Sequence, residues 1–296
     1  MNSSVLKKMI LMQLEQVSKS TWAIIDGSTY GNVGCIRTAN HIVVVDTGMT
    51  PVIAQEFHKR VQQEIGTPIT EVILTHYHSD HVFGAQEFQM YPLIASSKMV
   101  ELYPELLENQ WSPESLEEMR QLRAETDPAL SRQLENLQVI TPTKTFEKLL
   151  FLGENNEIKI HHTGGHTAGH SMVYFVPEHV LFAGDLVFCQ EYPYAGDSTN
   201  SPPNWIKAFE KILKMPVDTI VPGHGPLCDK EEIRIQLMYF KQLETWIQAR
   251  LDEGLSLEAV QKKKDSAPTP PYDVKAEWRQ EMTIERWYEF YSSETE

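Results

Sequence analysis

Three histidines and an aspartate crowd into the short segment THYHSDHVFG, residues 75–84, and this segment constrains the chain more than any other feature. Imidazoles and carboxylates gain little in a protein core and are costly there unless their polar atoms are satisfied. The preceding residues, EVIL, are apolar and β-branched as in a buried strand, so the segment is predicted to lie on the loop that leaves the strand. Packing does not require such a cluster, whereas a metal site explains it.

The spacing within this loop predicts two metal positions. His76 and His78 can point the same way, while Asp80 and His81 turn towards a second position. Imidazole suits zinc, iron, manganese or cobalt, and a carboxylate adds a harder ligand whose charge offsets the cations. The alternative interpretation is a surface loop that is rich in histidine without binding metal.

Three later segments have a similar composition. Each places a histidine or an aspartate beside small residues just after a strand-like run, which brings the backbone close to a metal centre. They are HHTGGHTAGHS (residues 161–171), VLFAGDLVF (180–188) and IVPGHGP (220–226). The ordered motifs HxHxDH, GGHTxGH, FAGD and PGHGP resemble the metallo-β-lactamase superfamily of metal-dependent hydrolases, over roughly residues 15–255.

The resemblance implies which side chains hold the two ions, when the family pattern is carried over position by position. The implied ligands are His76, His78 and His166 at the first ion, Asp80, His81 and His224 at the second, and Asp185 as the bridge between them. Asp46, in HIVVVDTG, matches an aspartate that in this family supports the histidine loop by orienting its ligands. A turn aspartate is an equally good account of Asp46.

A metal pair of this kind implies hydrolysis of a carbonyl compound. Two divalent cations ~3.5–4 Å apart lower the pKa of a bridging water from ~15.7 towards ~7, which gives a hydroxide that attacks an ester, lactone or thioester. Asp80 is the candidate catalytic residue, because its free oxygen can orient the water and shuttle its proton. The bridge at Asp185 resembles the thioesterase, lactonase and glyoxalase-II side of the superfamily, so β-lactam hydrolysis is expected at most as a side activity. Tyr192 and Tyr194 are candidates for an oxyanion donor, with aromatic packing as the alternative.

Two other functions stay open on the sequence alone. One is a diiron redox or oxygenase-type protein, since relatives with the same ligand set bind two irons beside a flavin domain; no room for a flavodoxin-like domain is expected after residue 255. The other is a non-catalytic metal-binding module, against which seven ligands argue, because a scaffold needs no reactive water. Zinc is the first expectation for the two divalent ions, with iron, manganese or cobalt as alternatives.

Composition limits the expected partners and compartment. Asp and Glu number 41 against 26 Lys and Arg, a net charge of −15, so nucleic acid is not an expected partner. No apolar run approaches the ~20 residues of a membrane span, and the N-terminal stretch MNSSVLKKMILMQLEQ does not fit a signal peptide. The three cysteines are scattered and suggest neither disulfides nor a thiolate zinc site. The expectation is a cytoplasmic enzyme with a small-molecule substrate and no membrane partner.

Apolar patterns predict an α/β fold with four αββα layers, which the resemblance also implies. Residues 1–255 are predicted to form the catalytic domain and residues 256–296 a C-terminal helical extension. Helical patterns begin near Thr50, Asn204 and Asp229, the last with a capping-box-like Glu232. Strand-like runs fall at about residues 21–26, 41–46, 71–74, 92–95, 148–152, 157–161, 171–175, 180–182 and 219–221.

Residues 97–140 are predicted to be a helical insertion between the first and second metal motifs. Ser112 and Asp127, each followed by proline, are typical of helix caps. The apolar stripes from Leu102 to Leu122 line either an acyl pocket or, in the alternative, pack against the sheet. The final helix is expected to dock back on the domain or to pair with another subunit in a homodimer.

Overall fold

The computed structural model describes residues 12–272 and 276–293, and in this part of the chain two mixed β-sheets pack face to face. The first sheet follows the order of the sequence: β1 (Glu15–Ser18), β2 (Thr21–Ile24), β3 (Val33–Arg37), β4 (Ile42–Val45), β5 (Ile69–Ile73), β6 (Leu93–Ser96) and β7 (Lys144–Phe146). The second sheet has the order β12-β11-β10-β9-β8: β8 (Leu149–Leu152), β9 (Ile158–His162), β10 (Ser171–Phe175), β11 (Val180–Phe188) and β12 (Thr219–His224). In chain order each sheet begins with antiparallel pairs, and the first sheet ends in three parallel pairs and the second in one, β11 with β12.

Helices cover the outer faces of both sheets. They are α1 (Pro51–Arg60), α2 (Ser79–Val82), α3 (Ser97–Glu108), α4 (Pro113–Thr126), α5 (Pro128–Gln133), α6 (Pro202–Lys214), α7 (Lys230–Asp252), α8 (Leu257–Gln261) and α9 (Glu277–Ser293). Val43 and Phe182 belong to the apolar core between the sheets. Phe57 lies in a second core under α1, and Phe240 and Trp287 lie in a third, between β11 and helices α6, α7 and α9. The predicted αββα sandwich is confirmed.

Side-chain caps fix where several helices begin. Thr50, Ser112 and Asp127 each accept a hydrogen bond from a backbone N–H in the first turn that follows, as predicted. Asp229 caps α7 in the same way. The prediction of a capping box at α7 is wrong in one of its two hydrogen bonds. The carboxylate of Glu232 accepts from the side chain of Gln236, one turn later in α7, and not from the backbone N–H of Asp229.

Three strands are missing from the sequence prediction. β1 is polar and lies at an edge of the first sheet, and β7 has only three residues. β3, with the sequence VGCIR, is buried along almost its whole length and therefore shows no polar alternation. Its Gly34 packs against the other sheet so closely that a Cβ there would lie 2.4 Å from the Phe182 ring. A glycine that weakens the strand pattern is thus required by the packing of the sheets.

The C-terminal helix docks back on the domain, the first of the two expected arrangements. The Trp287 ring of α9 lies 5.1 Å from the Phe240 ring of α7, and both are fully buried. Residues 1–11, on which the signal-peptide prediction falls in large part, lie outside the described residues. In residues 12–272 and 276–293, none of the helices combines the length and the apolar character that a membrane span needs.

Candidate metal centre

The seven predicted ligands come together at one edge of the two sheets. Each lies at or beyond the end of a strand, except for one that lies within β11. His76 follows β5, His78, Asp80 and His81 lie at α2, His166 lies on the loop between β9 and β10, Asp185 is inside β11, and His224 ends β12. The backbone of two packed sheets therefore fixes their positions.

The ligand atoms form two groups, and the atoms within each group lie within 4.8 Å of one another. One group is His76, His78, His166 and Asp185, and the other is Asp80, His81 and His224. This partition matches the predicted distribution of side chains between two positions. Histidine nitrogens and carboxylate oxygens at this density fit a divalent metal site.

The carboxylate of Asp185 reaches both groups. Its Oδ2 lies 3.6 Å from His76 Nε2 and 3.5 Å from His166 Nε2 in its own group, and 3.3 Å from His224 Nε2 in the other. Its Oδ1 lies 3.0 Å from His81 Nε2, also in the second group. Asp185 therefore occupies the position between the groups that the resemblance assigns to a bridge.

Several of these atoms are buried without a hydrogen-bond partner among the described residues. They include His76 Nε2, and also His81 Nε2 and Asp185 Oδ1, whose 3.0 Å contact with each other lacks the geometry of a hydrogen bond. Buried polar atoms that lack partners are costly and uncommon in proteins. A divalent cation would satisfy all three, so the observed donor set is the one that such an ion requires.

The proton positions on two neighbouring histidines of the cluster also indicate whether these residues suit a metal ion. His166 Nδ1 lies 3.1 Å from the carbonyl oxygen of Tyr194, which can only accept, so the neutral ring carries its proton there and a lone pair at Nε2. His78 Nε2 lies 3.0 Å from the Asp197 carboxylate, which leaves a lone pair at His78 Nδ1. His78 Nδ1 and His166 Nε2 lie 2.9 Å apart, so they share a proton when His78 carries two and present facing lone pairs when it carries one. A cation bound by both nitrogens would take the place of that proton.

The pKa values within the cluster diverge. Burial by itself would lower the pKa of His224, yet the carboxylates of Asp185 and Asp80 raise it to about 10. Burial and the neighbouring His78 lower the pKa of His166 to about 3. Burial would raise the pKa of Asp185, but the surrounding histidines outweigh it and hold that pKa well below its usual range. The cluster thus combines anionic carboxylates with neutral imidazoles at His76 and His166 and with protonated ones at His81 and His224, because neighbouring carboxylates outweigh burial and raise the pKa of both of the latter. A cation would displace these two protons.

Asp46 supports the histidine loop, as the resemblance implies. Its Oδ1 accepts the backbone N–H of Thr75 at 2.8 Å, and its Oδ2 accepts the Thr75 hydroxyl at 2.7 Å. The same Oδ2 lies 2.9 Å from His81 Nδ1, so His81 turns its Nε2 towards the centre. Asp46 adopts a left-handed backbone, with φ 59°, which is costly for a residue other than glycine. These contacts to Thr75 and His81 hold it there.

Asp197 supports His78 in the same manner, and sequence reasoning did not find it. Its Oδ2 accepts from His78 and from the Tyr77 hydroxyl, and its Oδ1 accepts the backbone N–H of Thr199 at 2.8 Å and the Thr199 hydroxyl at 2.6 Å. In the sequence, Asp197 stands in YAGDSTN, a pattern that also describes any polar turn. No feature of the sequence distinguishes Asp197 from an aspartate in an ordinary polar turn.

His170 belongs to neither ligand group. Its ring stacks on His76 with centroids 5.1 Å apart, one layer away from the centre. Its Nε2 packs against Gly184, where a Cβ would come within 2.7 Å. His170 is therefore a buried neighbour of the ligands.

Two glycines permit the close approach of backbone that the sequence predicted. A Cβ at Gly223 would lie 1.9 Å from Asp185 Oδ1, and a Cβ at Gly31 would lie 2.5 Å from His81 Nε2. Both distances are far below van der Waals contact. Glycine is therefore required in PGHGP and beside the histidine loop by the space that the ligands occupy.

A cavity of about 480 Å³ opens over the centre, lined by ligands from both groups. From the insertion, α3 contributes Leu102 and Leu106 to its wall. The neighbouring Leu107 is 37% exposed, and Trp111 is buried in the core. The insertion therefore lines the pocket through Leu102 and Leu106 of α3, whereas Trp111 packs in the core and Leu122 is exposed.

The two candidate tyrosines differ in position. Tyr194 lines the cavity, and its ring lies 5.8 Å from the His78 ring. Tyr192 is buried, and its hydroxyl lies 2.8 Å from that of Tyr239. Tyr192 is thus a packing residue, whereas the Tyr194 ring faces the site.

Comparisons with known proteins agree with this architecture. The metallo-beta-lactamase type 2 of Bacillus sp. (strain 170) is 24% identical over 229 residues, which cover 74% of this chain and 78% of that protein. The hydroxyacylglutathione hydrolase of Photobacterium profundum is 28% identical over 182 residues, covering 61% and 55%. The structure of a metallo-beta-lactamase from Pontibacter korlensis superposes with a TM-score of 0.60 at 20% identity, covering 77% of this chain and 98% of that one.

A family model adds the decisive match. The model of the metallo-beta-lactamase superfamily aligns with residues 26–224, which contain all four motifs and well over half of the chain. The alignment, the two-sheet sandwich and the shared edge that carries the histidines and carboxylates all agree. The chain belongs to the metallo-β-lactamase superfamily.

Proposed function

We propose that this protein is a dinuclear metal-dependent hydrolase that cleaves an ester, lactone or thioester. The position of Asp185 supports the proposal most directly, because its two oxygens reach ligand atoms of both groups at 3.0–3.6 Å. His76, His78 and His166 would hold one ion, Asp80, His81 and His224 the other, and Asp185 both. Zinc is the first choice, since imidazole and carboxylate ligands suit it.

Bound divalent ions in such a site lower the pKa of a coordinated water and polarise a substrate carbonyl. The residues of the chain supply the rest. Asp80 lines the cavity, and its Oδ2 lies 3.2 Å from His224 Nε2. That contact leaves Oδ1 to orient the attacking water and to accept its proton. Tyr194 faces the same cavity and can donate to the developing oxyanion.

The cavity wall supports a substrate with an apolar portion. Leu102 and Leu106 of α3 line it together with the Phe188, Tyr194 and Trp278 rings. Its volume suits a small molecule. The relatives named above include a β-lactamase and a hydroxyacylglutathione hydrolase, so their names point to different substrates. The net charge of −15 disfavours nucleic acid, and a small carbonyl compound is the proposed substrate class.

Metal analysis followed by a substrate panel tests the proposal. Protein purified with added zinc should carry two ions per chain and hydrolyse aryl esters, lactones or thioesters faster than β-lactams and phosphodiesters. Asp185→Asn and His224→Ala should each lose metal and most turnover while remaining folded by circular dichroism, because both side chains belong to the ligand groups and to none of the apolar cores. His41→Ala is the matched control, since His41 belongs to neither ligand group. Saturation at one ion, or wild-type turnover in either ligand variant, would contradict the proposed centre.

A further inference from the structure

The first turn of α9 forms part of the cavity wall. Trp278 and Arg279 line the cavity beside Phe188 and the ligand His224. The Phe188 and His224 rings are stacked, with centroids 5.0 Å apart and planes at 4°. Residues 278 and 279 lie beyond the segment that matches the family model, residues 26–224. This part of the wall is therefore a feature of this chain's own C-terminal extension.

Arg279 is held against two aromatic rings. Its Cζ lies 5.6 Å from the Phe188 ring centroid and 5.4 Å from the Trp278 ring centroid. Its side chain is 20% exposed, so the guanidinium lies largely out of bulk water. Removal from water strengthens the interaction of a charge with an ion of opposite sign. The rings also restrict the plane of the guanidinium, which favours paired contacts with a planar oxyanion.

The protein contacts of Arg279 leave donors available to the cavity. Nη1 donates to the carbonyl oxygen of Tyr192 at 2.7 Å and lies 3.5 Å from a carboxylate oxygen of Glu191. Within the described part of the chain, both of these contacts use Nη1. A guanidinium carries five N–H donors, so the Nε and Nη2 donors can serve a ligand. The Glu191 contact is long, and Glu191 is 38% exposed, so this ion pair is weak.

The charge of Arg279 is exceptional within the cavity. Among the described residues that line it, Arg279 is the one arginine or lysine, whereas Asp80, Glu105, Asp185 and Asp197 all line it as acids. Two of these acids are proposed ligands, and a third is bonded to His78. A cation placed next to the centre in a chain of net charge −15 requires its own explanation.

We infer that Arg279 binds an oxyanion, a carboxylate in the first instance, at the end of the substrate remote from the scissile carbonyl. The inference rests on the proposed function, because it places that carbonyl at the centre formed around Asp185. Phe188 and Trp278 pack against the chain that joins the two ends of the substrate. The substrate class is therefore an ester, lactone or thioester that carries both an apolar segment and a terminal acid group.

A matched pair of esters tests this assignment. Mono-4-nitrophenyl glutarate carries a terminal carboxylate, and 4-nitrophenyl pentanoate has the same chain length without it. The metal-loaded protein should favour the glutarate ester, and Arg279→Gln should lower the ratio of the two kcat/KM values about tenfold, the scale of one charge-assisted hydrogen bond. Arg279→Lys should restore part of the ratio, since it keeps the charge. An unchanged ratio in Arg279→Gln overturns the inference.

Glu191→Gln separates recognition from loop anchoring. It breaks the same ion pair but keeps the guanidinium, so the preference for the glutarate ester should remain. If the ratio falls as far as in Arg279→Gln, then Arg279 acts by holding the loop and the inference is overturned.

Calorimetry with unreactive acids gives a readout that is independent of turnover. The metal-loaded protein should bind glutarate more tightly than butyrate, and Arg279→Gln should remove the difference. Equal affinity for the two acids in the unsubstituted protein overturns the inference. If neither ester is hydrolysed, the proposed function fails, while the binding difference still decides the role of Arg279.

Discussion

The Asp197→Asn substitution tests whether a buried carboxylate sets the tautomer of a metal ligand. Asp197 Oδ1 accepts the backbone N–H of Thr199 at 2.8 Å, and this N–H can only donate. In the variant, the side-chain oxygen must therefore stay at that position, and the amide NH₂ takes the place of Oδ2, which lies 3.0 Å from His78 Nε2. Because an NH₂ group only donates, His78 Nε2 must become an acceptor. The imidazole proton then moves to Nδ1.

The new proton position weakens metal binding by an amount that can be bounded. His78 Nδ1 is the atom that faces His166 Nε2 at 2.9 Å, so an incoming ion has to displace the proton. Loss of a carboxylate that orients a ligating histidine typically costs about 10–100-fold in metal affinity, or ~1.4–2.8 kcal/mol. We expect a loss in this range for the group that contains His78. Competition with a chromophoric zinc chelator measures it directly.

Tyr77→Phe provides the matched control for this variant. It removes the hydroxyl that also donates to Asp197 Oδ2 but leaves the carboxylate next to His78. Zinc affinity should therefore change little in Tyr77→Phe. An unchanged affinity in Asp197→Asn, or an equal loss in both variants, refutes the argument from the tautomer.

Three further substitutions test the pocket, the packing at the centre and the docked helix. Leu106→Ala should reduce kcat/KM by about fourfold for each substrate methylene that the leucine no longer covers, which corresponds to ~0.8 kcal/mol. In the control Leu107→Ala, the change in kcat/KM should not depend on the length of the acyl chain. Gly223→Ala should lose metal by elemental analysis yet stay folded, because its Cβ would lie 1.9 Å from the bridging carboxylate; two ions in this variant would be inconsistent with that packing. Trp287→Ala should lower the free energy of unfolding in urea by about 3–5 kcal/mol, and Trp278→Ala, at a side chain that is 54% exposed, by much less. Equal losses would contradict the assigned burial.

The sequence predicts the parts of the site that depend on local patterns. His76 to His81 follow an apolar strand within a few residues, so both the loop and the division of its side chains could be read from spacing alone. Asp185 and His224 were assigned by motif, and the structure brings them to the same edge. The seven side chains come together because all of them except Asp185, which lies inside β11, stand at or beyond the end of a strand.

The parts that the sequence could not predict depend on contacts between distant segments. Asp197 lies 119 positions from His78, and a polar turn gives no indication of which histidine it will contact. Docking of the last helix was one of two expected arrangements, but the sequence does not indicate that packing of Trp287 on α7 would bring Arg279 into the cavity. β3 was not predicted because Gly34 interrupts its apolar pattern. The glycine is needed there because a Cβ would collide with the Phe182 ring of the opposite sheet.

In three histidines of the cluster, the ring nitrogen that points away from the centre (the outer nitrogen) is hydrogen-bonded to the protein. The other ring nitrogen points into the centre, where a cation could bind it. Asp46 takes His81 Nδ1, Asp197 takes His78 Nε2, and a backbone carbonyl takes His166 Nδ1. With the outer atoms engaged, His78 Nδ1 and His166 Nε2 face each other at 2.9 Å, and His81 Nε2 faces the Asp185 carboxylate at 3.0 Å. The folded chain brings these atoms together and the unfolded chain does not, so the free energy that holds an ion here would also stabilise the fold. Because both sheets contribute candidate ligands, an ion bound at this edge would join the two layers of the sandwich directly.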